Sequence, residues 1–124
     1  MKVRGIRGAT TVEHNRTEDI LRETAALLEE IVARNGIEAD EIASVFITVT
    51  PDLNATFPAR AIRSMAGWKH VPLMCGQEIA VPDSLPKCIR LMLLVNTELT
   101  AQEVAHVYLK GAVALRPDLA QVNG

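Results

Sequence analysis

The spacing of apolar and polar positions predicts strands and helices in alternation. Val3 to Val12 is extended in character, with Ile6, the Thr10-Thr11 pair and Val12 favouring strand. Gly5 and Gly8 flank Ile6-Arg7 and would admit another backbone or a ligand at close range. From Thr17 to Asn35 the periodicity changes: Ile20, Leu27, Leu28, Ile31 and Val32 share one face of a helix. Thr17 is placed to cap it, and Glu18 and Asp19 sit at the positive end of its dipole. Glu18 with Arg22, and Glu30 with Arg34, are favourable i,i+4 pairs on the wet side. Asn35-Gly36 supplies a left-handed stop.

A helical turn at Ala39 to Ala43 leads into Ser44 to Thr50, a β-branched run that reads as a buried strand ended by Pro51-Asp52. Phe57-Pro58 opens a short helix through Met65, and Gly67 closes it. Val71 to Cys75 and Lys87 to Thr97 are two further strands on either side of the turn-rich Val81-Pro82-Asp83-Ser84-Leu85-Pro86. Thr100-Ala101-Gln102-Glu103 is a capping-box pattern and predicts a third helix through Lys110. Ala112 to Leu115 reads as a last short strand, and Arg116-Pro117-Asp118 begins a flexible tail, 116–124. The order β-α-β-α-β-β-α-β implies an α+β fold in which one long and two short helices cover a mixed five-stranded sheet. That is little cover for five strands, so the open face is expected to find another subunit in a closed homo-oligomer.

The 124 residues and 13.5 kDa fit one domain, 1–124, large enough to need no disulfide or metal staple. Thirteen Lys and Arg against 15 Asp and Glu leave a net charge of −2, which offers no general field for nucleic acid or an anionic membrane. With 3% aromatic residues, base-stacking platforms are not expected either. Cys75 and Cys88 fit neither a CxxC pair nor a zinc ribbon. Charges in Lys2, Arg4 and Arg7 interrupt any signal-peptide apolar run, and Ile89 to Val95, broken by Arg90, is too short to span a bilayer. The expectation is a soluble, cytoplasmic protein.

Arg90 stands out because it interrupts Cys88-Ile89-Arg90-Leu91-Met92-Leu93-Leu94-Val95, where both strand faces look buried. A guanidinium cannot shed its charge, so it needs an anionic or strongly accepting partner. That partner is either an internal acid such as Glu78 or a ligand oxygen with Glu78 beside it. The other candidates have ordinary explanations when taken singly. Arg7 suits a solvent-facing strand residue, Arg60 and Arg63 a solvated helix side, and Arg116 a polar tail. Tyr108 suits a core residue with a wet hydroxyl, and Cys75 a small buried hydrophobe. His14, His70 and His106 lack metal-ligand spacing, and no phosphate-loop, nucleophile-elbow or zinc-protease motif occurs. What remains is a set of arginines with one acid and one thiol, which suits a small polyanion bound without metal or cofactor.

As a set these residues resemble the monofunctional AroH-type chorismate mutases, the Bacillus-type trimeric family. The likeness runs through Arg4-Gly5-Ile6-Arg7-Gly8-Ala9-Thr10-Thr11, Thr50-Pro51-Asp52-Leu53, Phe57-Pro58-Ala59, Gly67-Trp68 and Val71-Pro72. It continues in Cys75 with Gln77-Glu78, Lys87-Cys88-Ile89-Arg90, His106-Val107-Tyr108-Leu109 and Leu115-Arg116-Pro117-Asp118-Leu119. Position 60 is Arg where the family has Lys, which keeps the charge. The resemblance implies a homotrimeric pseudo-α/β barrel with active sites between subunits. It also implies conversion of chorismate to prephenate, in phenylalanine and tyrosine biosynthesis, with no cofactor.

By the same resemblance, Arg7, Cys75, Glu78, Arg90 and Tyr108 come from one subunit and Phe57, Arg60 and Arg63 from its neighbour, with Leu115 and Arg116 closing the mouth. Arg90 would donate to the ether oxygen and the side-chain carboxylate, which Arg7 and Tyr108 also hold. Glu78 and Cys75 would engage the ring hydroxyl, Phe57 and Leu115 would form apolar walls, and Arg63, Arg60 and Arg116 would meet the ring carboxylate. Two other readings stand beside this one. A non-catalytic trimer binding a dicarboxylate metabolite explains the arginines but not the company of Glu78 and Cys75. A trimeric enamine/imine deaminase would need an activated water, for which no residue calls.

Overall fold

The computed structural model describes residues 1–115. Strand β1 is Lys2–Thr11, helix α1 is Thr17–Asn35, and a 3-10 turn at Ala39–Glu41 leads into β2, Ile42–Val49. Helix α2 is Ala59–Arg63, followed by β3 at Leu73–Gln77, β4 at Cys88–Thr97, β5 at Val107–Tyr108 and a second 3-10 turn at Lys110–Leu115. One mixed sheet has the order β3-β2-β4-β1-β5. Strand β4 is antiparallel to both β1 and β2, while β3 lies parallel to β2 and β5 parallel to β1.

One face of the sheet carries the main core. Ile6 from β1, Val45 and Ile47 from β2, and Ile89, Leu91, Leu93 and Val95 from β4 pack with Ile20, Leu27, Leu28 and Ile31 of α1. Each large side chain buried this way contributes about 1.5–3 kcal/mol. Helix α1 approaches β1 so closely at Gly8 that an added Cβ would lie 2.5 Å from the Ile31 Cδ1. The opposite face is far less covered: Val3, Phe46 and Met74 stay exposed, and Met92 and Leu94 are half-buried. At one end of that open face, Ala9, Cys88 and Ala112 form a small second core with Leu85, Tyr108 and Leu115.

Several expectations are corrected. The third helix does not form. Its capping box does, with the Thr100 N–H donating to Glu103 Oε1 at 2.8 Å and the Glu103 N–H to Thr100 Oγ1 at 3.2 Å. The chain then leaves the helical path because Asn35 captures Ala105. The Asn35 amide donates to the Ala105 carbonyl at 2.9 Å, and its oxygen accepts the Ala105 N–H at 2.8 Å. With those groups satisfied from α1, the β-branched Val107 pairs beside β1 instead. The expected last strand, Ala112 to Leu115, lies within the second 3-10 turn, so β5 at Val107–Tyr108 takes its place in the five-stranded sheet.

At the start of α1, Arg16 rather than Thr17 is the N-cap, and no side chain caps it. Arg22 pairs with Asp19 and Glu23 rather than with Glu18, whereas Arg34 and Glu30 meet at 2.9 Å as expected. Gly36 ends α1 with φ 60°, the left-handed stop. Among the described residues, no helix is long and apolar enough to cross a membrane.

Candidate active site

Side chains at paired positions on neighbouring strands share a face of the sheet. Strand β4 alternates, with Ile89, Leu91, Leu93 and Val95 facing α1 and Arg90, Met92 and Leu94 facing the open side. The expectation that both faces of β4 are buried is therefore wrong. Arg90 lies at the boundary of core and solvent, its side chain 44% exposed. Its paired neighbours are Ala9 on β1 and Thr48 on β2; one step further, Met92 pairs with Arg7 and with Phe46.

A cleft of about 470 Å³ opens over these positions. It is lined by Arg7, Thr48, Glu78, Arg90, Tyr108 and Leu115, with Gly8, Ala9, Phe46, Leu91 and Met92 completing its walls. The elements hold these groups by separate means. The Arg7 backbone N–H donates to His106 Nδ1 at 3.0 Å where the short strand β5 no longer pairs with β1. The Glu78 N–H donates to the Val49 carbonyl at 2.8 Å, extending the β2–β3 ladder past Gln77. The Thr48 hydroxyl donates a short hydrogen bond to Glu78 Oε2, and the same oxygen lies 3.5 Å from Arg90 Nε. Strand β4 is anchored at its start by Thr50 and Asp52. Thr50 Oγ1 accepts the Cys88 N–H at 2.9 Å, and the Asp52 carboxylate accepts the N–H of Lys87, whose φ is 50°.

The remaining candidates lie elsewhere on the chain. Phe57, Arg60 and Cys75 line a second cleft of about 620 Å³ with Val49, Thr56 and Gly76. The Arg60 guanidinium donates to Thr56 Oγ1 at 2.9 Å. Arg60 also joins Arg63 and Arg22 along a groove between α1 and α2. Cys75 is exposed rather than buried, and it pairs with Ile47, so it points away from the face that holds Arg90 and Thr48. The structure thus separates Cys75 from Arg90 and groups it with Phe57 and Arg60. Arg116 lies outside the described residues, as does the tail 116–124.

Sequence reasoning passed over Thr48, Phe46 and Met92, and weighed His106 by itself only as a metal ligand. The first three follow from period-two alternation once β2 and β4 are set side by side. The contact of His106 with the Arg7 backbone N–H carried no such signal, because a main-chain donor leaves no mark in the side-chain pattern. Burial pushes the Cys88 thiol above its ordinary value, partly opposed by the nearby Arg90 charge. No group of three or more His, Cys, Asp or Glu side chains gathers among the described residues. The chemistry on offer in the Arg90 cleft is therefore multiple cationic and hydroxyl donors facing one carboxylate, over an apolar floor.

The family model for chorismate mutase type I matches residues 3–119. The chain is 47% identical over 120 residues to the chorismate mutase AroH of Bacillus subtilis (strain 168), covering 97% of this chain and 94% of that protein. It is 49% identical over 118 residues to the chorismate mutase AroH of Thermus thermophilus, covering 94% and 96%. A solved chorismate mutase from Clostridium thermocellum superposes with a TM-score of 0.87 at 51% identity, over 90% of this chain and 98% of that one. The arginine-lined cleft on a mixed, half-covered sheet thus sits in a chain that belongs to the chorismate mutase type I family.

Proposed function

We propose that this chain converts chorismate to prephenate by a Claisen rearrangement, in the cytoplasmic route to phenylalanine and tyrosine, as a single domain that works as a homotrimer. The observation that carries the reading is the convergence of Arg7, Glu78, Arg90 and Tyr108 on one open-face cleft. The rearrangement breaks the ether C–O bond and forms a C–C bond within one molecule, so neither a nucleophile nor a proton relay is required. Two tasks remain for the protein. It must hold the enolpyruvyl arm over the ring, and it must stabilise negative charge as it grows on the ether oxygen.

Arg90 supplies the donor to that oxygen and to the side-chain carboxylate, with Arg7 and Tyr108 on the same carboxylate. A guanidinium suits this work because its fork is rigid and always charged. Glu78, oriented by Thr48, accepts from the ring hydroxyl. Leu115 forms an apolar wall. Phe57, Arg60 and Arg63 reach the cleft from a neighbouring copy. We place Cys75 in that neighbouring half, because on this chain it shares a cleft with Phe57 and Arg60. The exposed apolar side chains of the open face, Val3, Phe46 and Met74, support its burial against other copies.

The test is turnover of chorismate by the purified chain and by Arg90→Ala at saturating substrate. Loss of one preorganised donor costs ~10²–10³ in rate, and at least that is expected of Arg90→Ala. Near-wild-type turnover of Arg90→Ala would overturn the role of Arg90. Binding of chorismate without turnover by the unaltered chain would favour a dicarboxylate sensor, and ammonia release from an imine would favour a deaminase.

A further inference from the structure

The chain from Leu109 to Leu115 crosses the edge of the sheet. On the covered side, Lys110 Nζ lies 2.6 Å from Glu23 Oε2, and Glu23, on α1, is only 8% exposed. A few residues later, on the open side, Ala112 and Leu115 join the small core under the cleft, and Leu115 lines the cleft itself. Between these points the segment is tied to β1. The Leu109 N–H donates to the Ala9 carbonyl at 2.9 Å, and the Gly111 N–H donates to Thr11 Oγ1 at 3.1 Å. Lys110 makes this crossing with φ 52°, a left-handed backbone state that is uncommon for a residue other than glycine.

We propose that the Glu23–Lys110 ion pair is a positioning device that fixes Leu115 at the mouth of the substrate cleft from the opposite side of the sheet. Glu23 touches no substrate; its carboxylate acts through Lys110 and the short 3-10 turn. Three features support this. The Glu23 carboxylate is buried, so it needs a cationic partner, and the short contact to Lys110 supplies one. Arg22 Nε is 3.3 Å from the same oxygen, against 2.6 Å for Lys110, and Arg22 also pairs with Asp19, so it is the weaker tether. Lys110 and Leu115 are the two ends of one 3-10 turn, closed at its start by the Ala112 N–H donating to the Leu109 carbonyl at 3.0 Å, so a displacement at Lys110 is carried along the turn to Leu115. The inference rests on the Arg90 cleft being the substrate site.

Leu115 lines the cleft with an apolar side chain and can donate nothing to the ether oxygen, so loosening it weakens substrate and transition state together. The experiment measures steady-state chorismate kinetics of the full chain, Lys110→Met, Lys110→Arg, Glu23→Gln and the Lys110→Met/Glu23→Gln double variant. Lys110→Met is expected to raise KM about five- to tenfold with kcat within about twofold, less than a fully buried charge-assisted hydrogen bond because the Lys110 side chain is half-exposed. Lys110→Arg keeps the charge and restores KM. Glu23→Gln raises KM as Lys110→Met does, and the double variant raises it no further, because both remove one interaction. Hydrogen exchange at the Gly111 and Ala112 amides should quicken in Lys110→Met and return to the original rate in Lys110→Arg. An unchanged KM in Lys110→Met, or effects that multiply in the double variant, would overturn the proposal while leaving the assigned reaction intact. An inactive unaltered chain would instead remove the reading on which it stands.

Discussion

Arg90 and Glu78 face each other across the cleft with Nε 3.5 Å from Oε2, a looser contact than the one the same carboxylate oxygen makes with the Thr48 hydroxyl. The Arg90 and Glu78 side chains are partly open to solvent, so their attraction is screened. The guanidinium is therefore not consumed by an internal acid, and its fork stays available to an anion in the cleft. The Thr48 hydroxyl holds that carboxylate oxygen by a hydrogen bond of its own.

Thr48→Val removes that restraint at nearly constant volume. The expected outcome is a fall of about tenfold in kcat/KM for chorismate, the scale of one hydrogen bond to a charged group. Arg90→Lys should cost much of what Arg90→Ala costs, since an ammonium restores the charge without the fork. Steady-state assays of both variants beside the unaltered chain check these expectations.

The two cysteines should react very differently. Cys75 is exposed and Cys88 is buried. A neutral alkylating reagent in slight excess is expected to label Cys75 and leave Cys88 free, as read by mass spectrometry of peptides. If Cys75 lies at the substrate site, saturating chorismate or prephenate slows its labelling, and labelled protein loses turnover. Rapid labelling of Cys88 in the native state would contradict the packing described here.

Cys88 also sets an alkaline limit. Burial raises its value in the folded chain above the ordinary 9.0, and Arg90 only partly offsets this. The folded state thus holds the proton more tightly than the unfolded chain does. Its contribution to stability is complete below pH 9.0 and is lost as pH rises through the raised value. Denaturant unfolding of the unaltered chain and Cys88→Ala at neutral and alkaline pH isolates this, with the variant expected to lose less stability on the alkaline side. Equal alkaline losses would exclude it.

At Gly8 the close approach of α1 gives a packing prediction. Gly8→Ala places a methyl group 2.5 Å from Ile31 Cδ1 and 3.1 Å from Leu27 Cδ1, both in a core with no exposed surface to retreat to. Overpacking of this kind costs about 1–3 kcal/mol. Adding Ile31→Val, which deletes the clashing carbon, should recover part of that loss, and chemical denaturation of the single and double variants measures the coupling.

The legible parts of the sequence were those with a strong period. The face of α1 defined by Leu27, Leu28 and Ile31, the strand through Val45 and Ile47, and the stop at Gly36 all follow from local pattern and hold in three dimensions. Chemistry was legible where a charge broke a pattern, as Arg90 does in β4. The failures have a common cause. The Thr100 capping box forms as its residues dictate, yet Asn35, distant in sequence, redirects the chain before a helix can follow. The resemblance groups Cys75 with Arg90 in one subunit, and on this chain strand alternation turns the two side chains to opposite faces. Only the pairing of β2 with β3 and β4 reveals that difference.

Because Arg7, Thr48 and Arg90 project from strands bonded side by side, the cleft inherits its dimensions from the peptide lattice. Point substitutions can retune such a pocket, whereas a one-residue change within the regular β1–β4 pairing reverses every side chain beyond it. Deleting Ile89 alone would turn a guanidinium inward against α1 and present Leu91 where the anion should sit. One alternation along β4 thus serves both faces of the sheet, and the same slip would strike packing and binding together.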